Sequence, residues 1–282
     1  MWIKISLREI GPDMIVGFRT LFGVVFCIVV ILIQRIKLPR TFKEWWPLVL
    51  LGITNIAVPF FLIAWGEKSI DSSVASILDC TVPLFTIVIA HFMVSDDKMT
   101  VSKISGLLIG FIGVFILLSK DFGKSASPII GQAAVILAAF FYAVSAVIVR
   151  KATQSTPGIL RSAGPLLSGT IIMWIAAFIF ESPLKLPQLG ITWTALLFMG
   201  ILGSGFAFLM VFWLIHEIGP TRTSMITYIF PLGGVLLGVI FLQEQLTWQL
   251  VAGGLLIITS LVVANKQPDK ASGTQVPSPK TG

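Results

Sequence analysis

Asp79 stands four residues before Pro83 in the run Asp79-Cys80-Thr81-Val82-Pro83, a polar interruption of the apolar stretch from Val74 to Val94. Proline has no N–H, so a helix through this run leaves the Asp79 carbonyl without its partner. Acid and spare acceptor coincide at one position. Pro231 stands in the same relation to Thr227, and Pro59 to Asn55, each inside another apolar stretch. An acid near the centre of a membrane helix costs about 2.5–3.5 kcal/mol on insertion scales, so Asp79 should face water or a partner. Lys4 and Arg19 are the two cations placed to answer it. Either one of them pairs with Asp79 at a cavity wall, or both snorkel to the headgroups.

Two faces at helical spacing carry the remaining candidates. Ser72, Ser76, Asp79, Pro83 and Thr86 share one, and Pro220, Ser224, Thr227, Pro231 and Gly234 share the other. Small polar faces either line a cavity or let two backbones approach closely in a membrane. Asn55 and Pro59 form a further patch, read as a site or as a kink whose Asn satisfies the freed carbonyl. Trp65, Trp213 and Tyr228 are placed to stack on a ligand or to anchor helix ends at the interface. His91 and His216 read as polar border residues. Gly106, Gly110, Gly113, Gly253 and Gly254 read as close-contact faces, inside the chain or in a homodimer.

Of 282 residues, 56% are hydrophobic and 12% charged, with a mean hydropathy of +0.96. That composition excludes a soluble domain of this size and predicts an all-α polytopic membrane protein. Complete spans are expected at about 13–34, 45–65, 72–94, 101–119, 129–149, 159–180, 191–215, 220–242 and 246–264. Before them Trp2 to Ile10 makes half a span, either because the start codon is assigned too far downstream or because the first helix is genuinely a half. Counting it, ten helices are expected. Residues 265–282 are rich in Lys, Pro, Ser, Thr and Gly and read as a disordered tail.

Basic residues settle the expected orientation. Arg35, Lys37, Arg40, Lys43, Lys98, Lys103, Arg150, Lys151, Arg161 and Arg222 gather at one set of helix ends with the tail lysines, whereas the other set holds Arg8, Lys68, Lys120, Lys124 and Lys185. The richer set and the C-terminus are therefore expected in the cytoplasm. The net charge of +7 is spread over short loops, with no cluster of the kind nucleic acid needs.

An internal repeat organises the whole. Laying Gly52 on Gly200 carries Gly52 to Pro83 onto Gly200 to Pro231 without a gap, matching Phe60 with Phe208, Trp65 with Trp213 and Ser76 with Ser224. After one extra residue in the first copy, Asp97-Lys98-Met99-Thr100 falls on Glu244-Gln245-Leu246-Thr247 and Gly106 on Gly253. The copies occupy 1–119 and 129–264, five helices each, and an odd number inverts them across the membrane, the plan of many secondary transporters. Asp79 meets Thr227 in this alignment, so the acid belongs to one copy alone.

The residues Ile3-Lys4, Pro12 with Arg19, Ser76 to Pro83-Leu84-Phe85 and Asp96 to Thr100, repeated as Ser224 to Pro231-Leu232, Glu244 to Thr247 and Gly253-Gly254, resemble the EamA-type family of the drug/metabolite transporter superfamily. The resemblance covers residues 1 to about 264 and departs at the N-terminus, where the family supplies a whole first helix. It implies alternating access in the cell membrane and a central cavity built from the helices around 45–65, 72–94, 191–215 and 220–242 with the first helix of each repeat. It also implies efflux of amino acids or related metabolites, coupled to protons or to a counter-substrate, with Asp79 as the titrating group. The alternative is a membrane sensor or assembly partner that moves no solute. No cofactor, metal or enzymatic activity is expected. Gly203-Ser204-Gly205 resembles part of an intramembrane protease motif, but Leu202 stands where a glycine belongs, and two distant histidines make no metal site.

Overall fold

A computed structural model describes residues 1–38, 41–93, 99–121, 126–153, 156, 158–181, 184, 186–224, 226 and 229–264. The tail and Asp96 to Lys98 lie outside the described residues, as do Thr227 and Tyr228. Among those described, every regular element is helical. The first repeat holds α1 (Trp2–Ser6), α2 (Pro12–Gln34), α3 (Phe42–Leu51), α4 (Val58–Gly66), α5 (Ser72–Asp79), α6 (Val82–Met93) and α7 (Val101–Ser119). The second holds α8 (Ala126–Ala152), α9 (Gly158–Phe180), α10 (Gly190–Gly200), α11 (Ala207–Ile218), α12 (Pro220–Ser224), α13 (Ile229–Leu242) and α14 (Trp248–Ala264).

Local sequence explains the boundaries. Pro12 opens α2, where its missing N–H costs nothing. The 23 residues of α2 rise about 35 Å, enough to cross a hydrocarbon core. Gly219 turns α11 into α12 at φ 88°, a conformation that other residues rarely adopt.

The proline-marked spans depart from the regular ladder in different ways. Between α5 and α6 the chain makes two tight turns, Cys80 N–H to Ile77 O at 3.1 Å and Thr81 N–H to Leu78 O at 3.0 Å, before α6 starts afresh with Pro83 in its first turn. In the second repeat the matching span holds α12 and α13, and residues 225, 227 and 228 between them lie outside the described residues. Between α3 and α4 lies a π-helical segment, π1 (Gly52–Ala57), and between α10 and α11 a second, π2 (Ile201–Phe206). Val58 N–H reaches back five residues to Ile53 O, and Ala207 N–H reaches back five to Leu202 O. Pro59 explains π1, since the regular ladder cannot be completed at Asn55. At π2 no proline is present, and Gly203 and Gly205 loosen the backbone instead.

Contacts between the repeats come in matched sets. Phe60 and Phe208, equivalent in the repeat, lie 5.8 Å apart between ring centroids. Gly106 faces the Ser260 carbonyl and Gly113 faces that of Gly253. Because Gly106 corresponds to Gly253 and Gly113 to Ser260, these two contacts are copies of each other, as a two-fold relation between the halves requires. Gly106, Gly113 and Gly253 thus join α7 to α14 inside one chain, while Gly110 also meets Leu84 and Gly254 meets Ile77. Outward-facing Phe115, Phe178, Phe180 and Ile240 are exposed and form the lipid-facing surface.

A Cβ on Gly113 would lie 2.9 Å from the Gly253 carbonyl, and one on Gly253 would lie 2.8 Å from the Gly113 carbonyl. Backbone cannot yield as a side chain can. Gly113→Leu is expected to destabilise the protein by about 1–3 kcal/mol, read as a lower melting temperature in detergent. Gly190→Ala, where a Cβ meets nothing within 4 Å, should leave the melt unchanged.

Candidate functional site

Arg19 projects from the middle of α2. Small residues bring α2 against π2 here: a Cβ on Gly23 would meet the Gly200 carbonyl at 3.2 Å and Ser204 at 3.3 Å, while Gly200 and Gly205 face Phe22 and Phe26. That approach lets Arg19 Nε donate to Ser204 Oγ at 2.8 Å and Nη2 reach the Gly203 carbonyl at 3.5 Å. Ser204 Oγ in turn donates to Met199 O at 3.0 Å, five residues back. The guanidinium carbon sits 3.8 Å above the centre of the Phe60 ring, a cation–π contact. The π-helical opening and an aromatic face together hold a cation inside an apolar bundle.

Aromatic rings from three elements extend this site. Phe60 of α4 meets Tyr142 of α8 at 6.5 Å and Phe208 of α11 at 5.8 Å, and Phe208 meets Phe212 at 5.5 Å. Asp79, at the end of α5, attracts Arg19 and also feels Tyr142. Among the described residues it forms no ion pair, and its Oδ1 is buried without a hydrogen-bond partner. Arg19, Asp79, Tyr142 and Phe208 all keep some exposed surface although they lie deep in the bundle. Arg19 and Asp79 thus attract each other inside the bundle, and among the described residues no hydrogen bond or ion pair joins them. In surroundings of low dielectric that attraction is far stronger than in water.

The sequence paired Asp79 with Arg19 or Lys4, and the structure separates the two cations. Lys4 Nζ donates to the Glu67 carbonyl at 2.8 Å and to the Ile70 carbonyl, so it caps the turn between α4 and α5. Lys4 is neither a partner of Asp79 nor a snorkelling group. It lines a vestibule of about 640 Å³ at one end of the bundle, together with Arg8, Lys68, Lys120 and Glu244. There Lys120 pairs with Asp71 at 3.4 Å.

The other candidates divide similarly. Asn55 is buried in π1, with Oδ1 unpartnered like that of Asp79. Ser76 Oγ donates to Ser73 O at 2.8 Å, and a Cβ on Gly234 would overlap Ser76, so the two small faces press together there. Pro83 is buried in the first turn of α6. Ser224 Oγ donates to Thr221 O at 2.8 Å. Pro231 falls in α13, while its side chain, with Thr227 and Tyr228, lies outside the described residues. Trp65 and Trp213 are exposed at the surface, the place of interface anchors.

Sequence reasoning missed Ser204, Phe60, Phe208 and Tyr142. Phe60 and Phe208 carried a signal, since the repeat superposes them, and Tyr142 is one of only two tyrosines in the chain. Ser204 carried none beyond its flanking glycines. The cation also comes from α2, outside the helices expected to build the cavity.

Residues 1–119 and 129–266 each match the EamA-like transporter family. YoaV, an uncharacterized transporter of Bacillus subtilis (strain 168), is 28% identical over 262 residues, which span 91% of this chain and 88% of its own. An uncharacterized transporter of Archaeoglobus fulgidus is 26% identical over 270 residues, 94% of this chain and 93% of its own. The uncharacterized inner membrane transporter YedA of Escherichia coli (strain K12) is 26% identical over 239 residues, 84% of this chain and 76% of its own. A solved crystal structure superposes with a TM-score of 0.71 over 94% of this chain and 93% of its own at 19% identity, and so shares the fold. Two family matches, one per inverted half, and relatives aligned along most of their length agree with a bundle whose polar groups face inward and whose apolar groups face lipid: the chain belongs to the EamA-like transporter family and is a multi-pass transporter of the cell membrane.

Proposed function

We propose that this transporter is a secondary carrier that exports amino acids or closely related zwitterions by alternating access. One observation carries the reading: Arg19 and Asp79 attract each other and remain unjoined, and the substrate is placed in a space between them. A zwitterion presents the complementary pair of charges. Its carboxylate suits the planar fork of Arg19 and its ammonium suits the open Oδ1 of Asp79. Tyr142 and Phe208, which keep some exposed surface, offer apolar area to the side chain. Such a substrate replaces the water that each charge loses on burial.

Inverted halves meeting at this space give the two access states, with each half rocking against the other. The basic helix ends and the C-terminus are assigned to the cytoplasm, which turns the vestibule outward. The small-molecule gradient is balanced by protons or by a counter-substrate, with Asp79 as the proton carrier. A sensor that binds without transport is the competing reading.

Purified protein in liposomes tests the first point. Loaded amino acids should leave the vesicles and exchange with external ones, and Arg19→Ala or Asp79→Ala should reduce the flux at least tenfold. Specific binding without flux across the whole amino-acid panel would overturn the carrier reading. Coupling is tested separately. Asp79→Asn should abolish accumulation driven by a pH gradient while sparing exchange, and equal loss of both would remove Asp79 from the coupling step.

A further inference from the structure

The turn between α4 and α5 is gripped from both repeats. Glu67, just past α4, is 5% exposed, and its Oε2 accepts a hydrogen bond from the Ser72 hydroxyl at 2.9 Å. Ser72 N–H donates to Glu244 Oε1 at 2.8 Å. Ser73 donates to Glu244 Oε2 from its N–H at 2.9 Å and again from its hydroxyl. Glu244 belongs to the loop between α13 and α14, where Gln243 adopts φ 56° and Glu244 N–H returns to Gly238 O at 3.2 Å. Three hydrogen bonds accepted by one carboxylate therefore tie the second repeat to the start of α5 in the first. Immediately below them α5 and α13 touch at Ser76 and Gly234.

We infer that Glu67 and Glu244 form a proton-operated latch across the vestibule mouth: a proton on Glu67 keeps Glu244 docked on α5, and loss of that proton releases it. The inference rests on alternating access for its purpose and on the mouth alone for its test. Both Glu244 oxygens only accept hydrogen bonds here, so Glu244 docks as the carboxylate. A second carboxylate charge on Glu67, sharing Ser72 with it, repels that docked group.

The surroundings of Glu67 fix the sign. Burial raises its pKa above the ordinary carboxylate value and Glu244 adds to the rise, while the chain's amino group, the Ser72 hydroxyl and Lys4 oppose it. The other charges around the vestibule are Arg8, Lys68 and the Asp71–Lys120 pair, and Arg19 acts from the bundle interior. With the latch open, Glu67 meets water and titrates near its ordinary value. The proton thus binds the docked state more tightly. Docking is fully favoured below the ordinary glutamate range and weakens as pH rises through the raised value.

Amide hydrogen exchange of the full chain in lipid nanodiscs reads the latch directly, because docking protects the Ser72 and Ser73 amides. Rates are corrected for the intrinsic pH dependence of exchange. Protection of the segment beginning α5 should be greatest below the ordinary glutamate range and fall at least tenfold as the pH is raised well above it. Glu67→Gln, permanently neutral, should hold protection across that rise, and Glu244→Gln should lower it at every pH. Asp71→Asn should keep the wild-type profile. Flat protection in the wild-type protein overturns the latch, as does an unchanged pH profile in Glu67→Gln. Neither result bears on whether amino acids are carried, which the vesicle fluxes decide.

Discussion

A guanidinium cannot be left bare inside an apolar bundle, and the way Arg19 is satisfied governs the centre of this protein. Its partners are an aromatic face, a hydroxyl and a backbone carbonyl. In a regular helix the carbonyl would be taken by the ladder and the hydroxyl would turn to its own backbone alone. The π-helical segment π2 changes that by reaching five residues instead of four, which frees geometry for an outside donor. Gly23, Gly200 and Gly205 then let α2 come close enough for Arg19 to use it. The positions of π2, α2 and the Phe60 ring are consequences of housing one charge.

The two repeats share architecture without sharing chemistry. Both carry a π-helical segment at the same place, yet Pro59 produces the first while glycines produce the second. In the alignment of the two copies the acid Asp79 falls on Thr227. Arg19 and Asp79 both come from the first repeat, on α2 and α5, so cation and acid are contributed by one half.

Much of this was legible in the residues. Apolar run lengths located the spans to within a few residues, because a hydrocarbon core of about 30 Å leaves little freedom in helix length. The superposition of Gly52 to Pro83 on Gly200 to Pro231 showed the halves, and the odd helix number showed their inversion. Asp79 was singled out by the cost of burying it. What could not be read was how a proline would be accommodated: Pro59 gave a widened helix, whereas Pro83 became the first turn of a new one. Both resolve the same missing N–H, and the neighbouring helices decide between them.

By itself the sequence determined that the chain crosses a membrane in inverted halves and that an unmatched acid lies in its interior. These follow from transfer energies and from periodicity, which are local or additive along the chain. Only the tertiary structure decided which cation answers Asp79. Lys4 and Arg19 look alike in sequence, both basic and both unmatched by the repeat. One caps a turn and the other stands over Phe60, because α1 ends beside the α4–α5 turn while α2 runs past π2. Tyr142, Ser204 and the Glu244 contact with α5 were hidden for the same reason: each joins residues more than sixty positions from their partners. Attraction and hydrogen bonding depend on distance in space, and no pattern along the chain encodes which distant helices will touch.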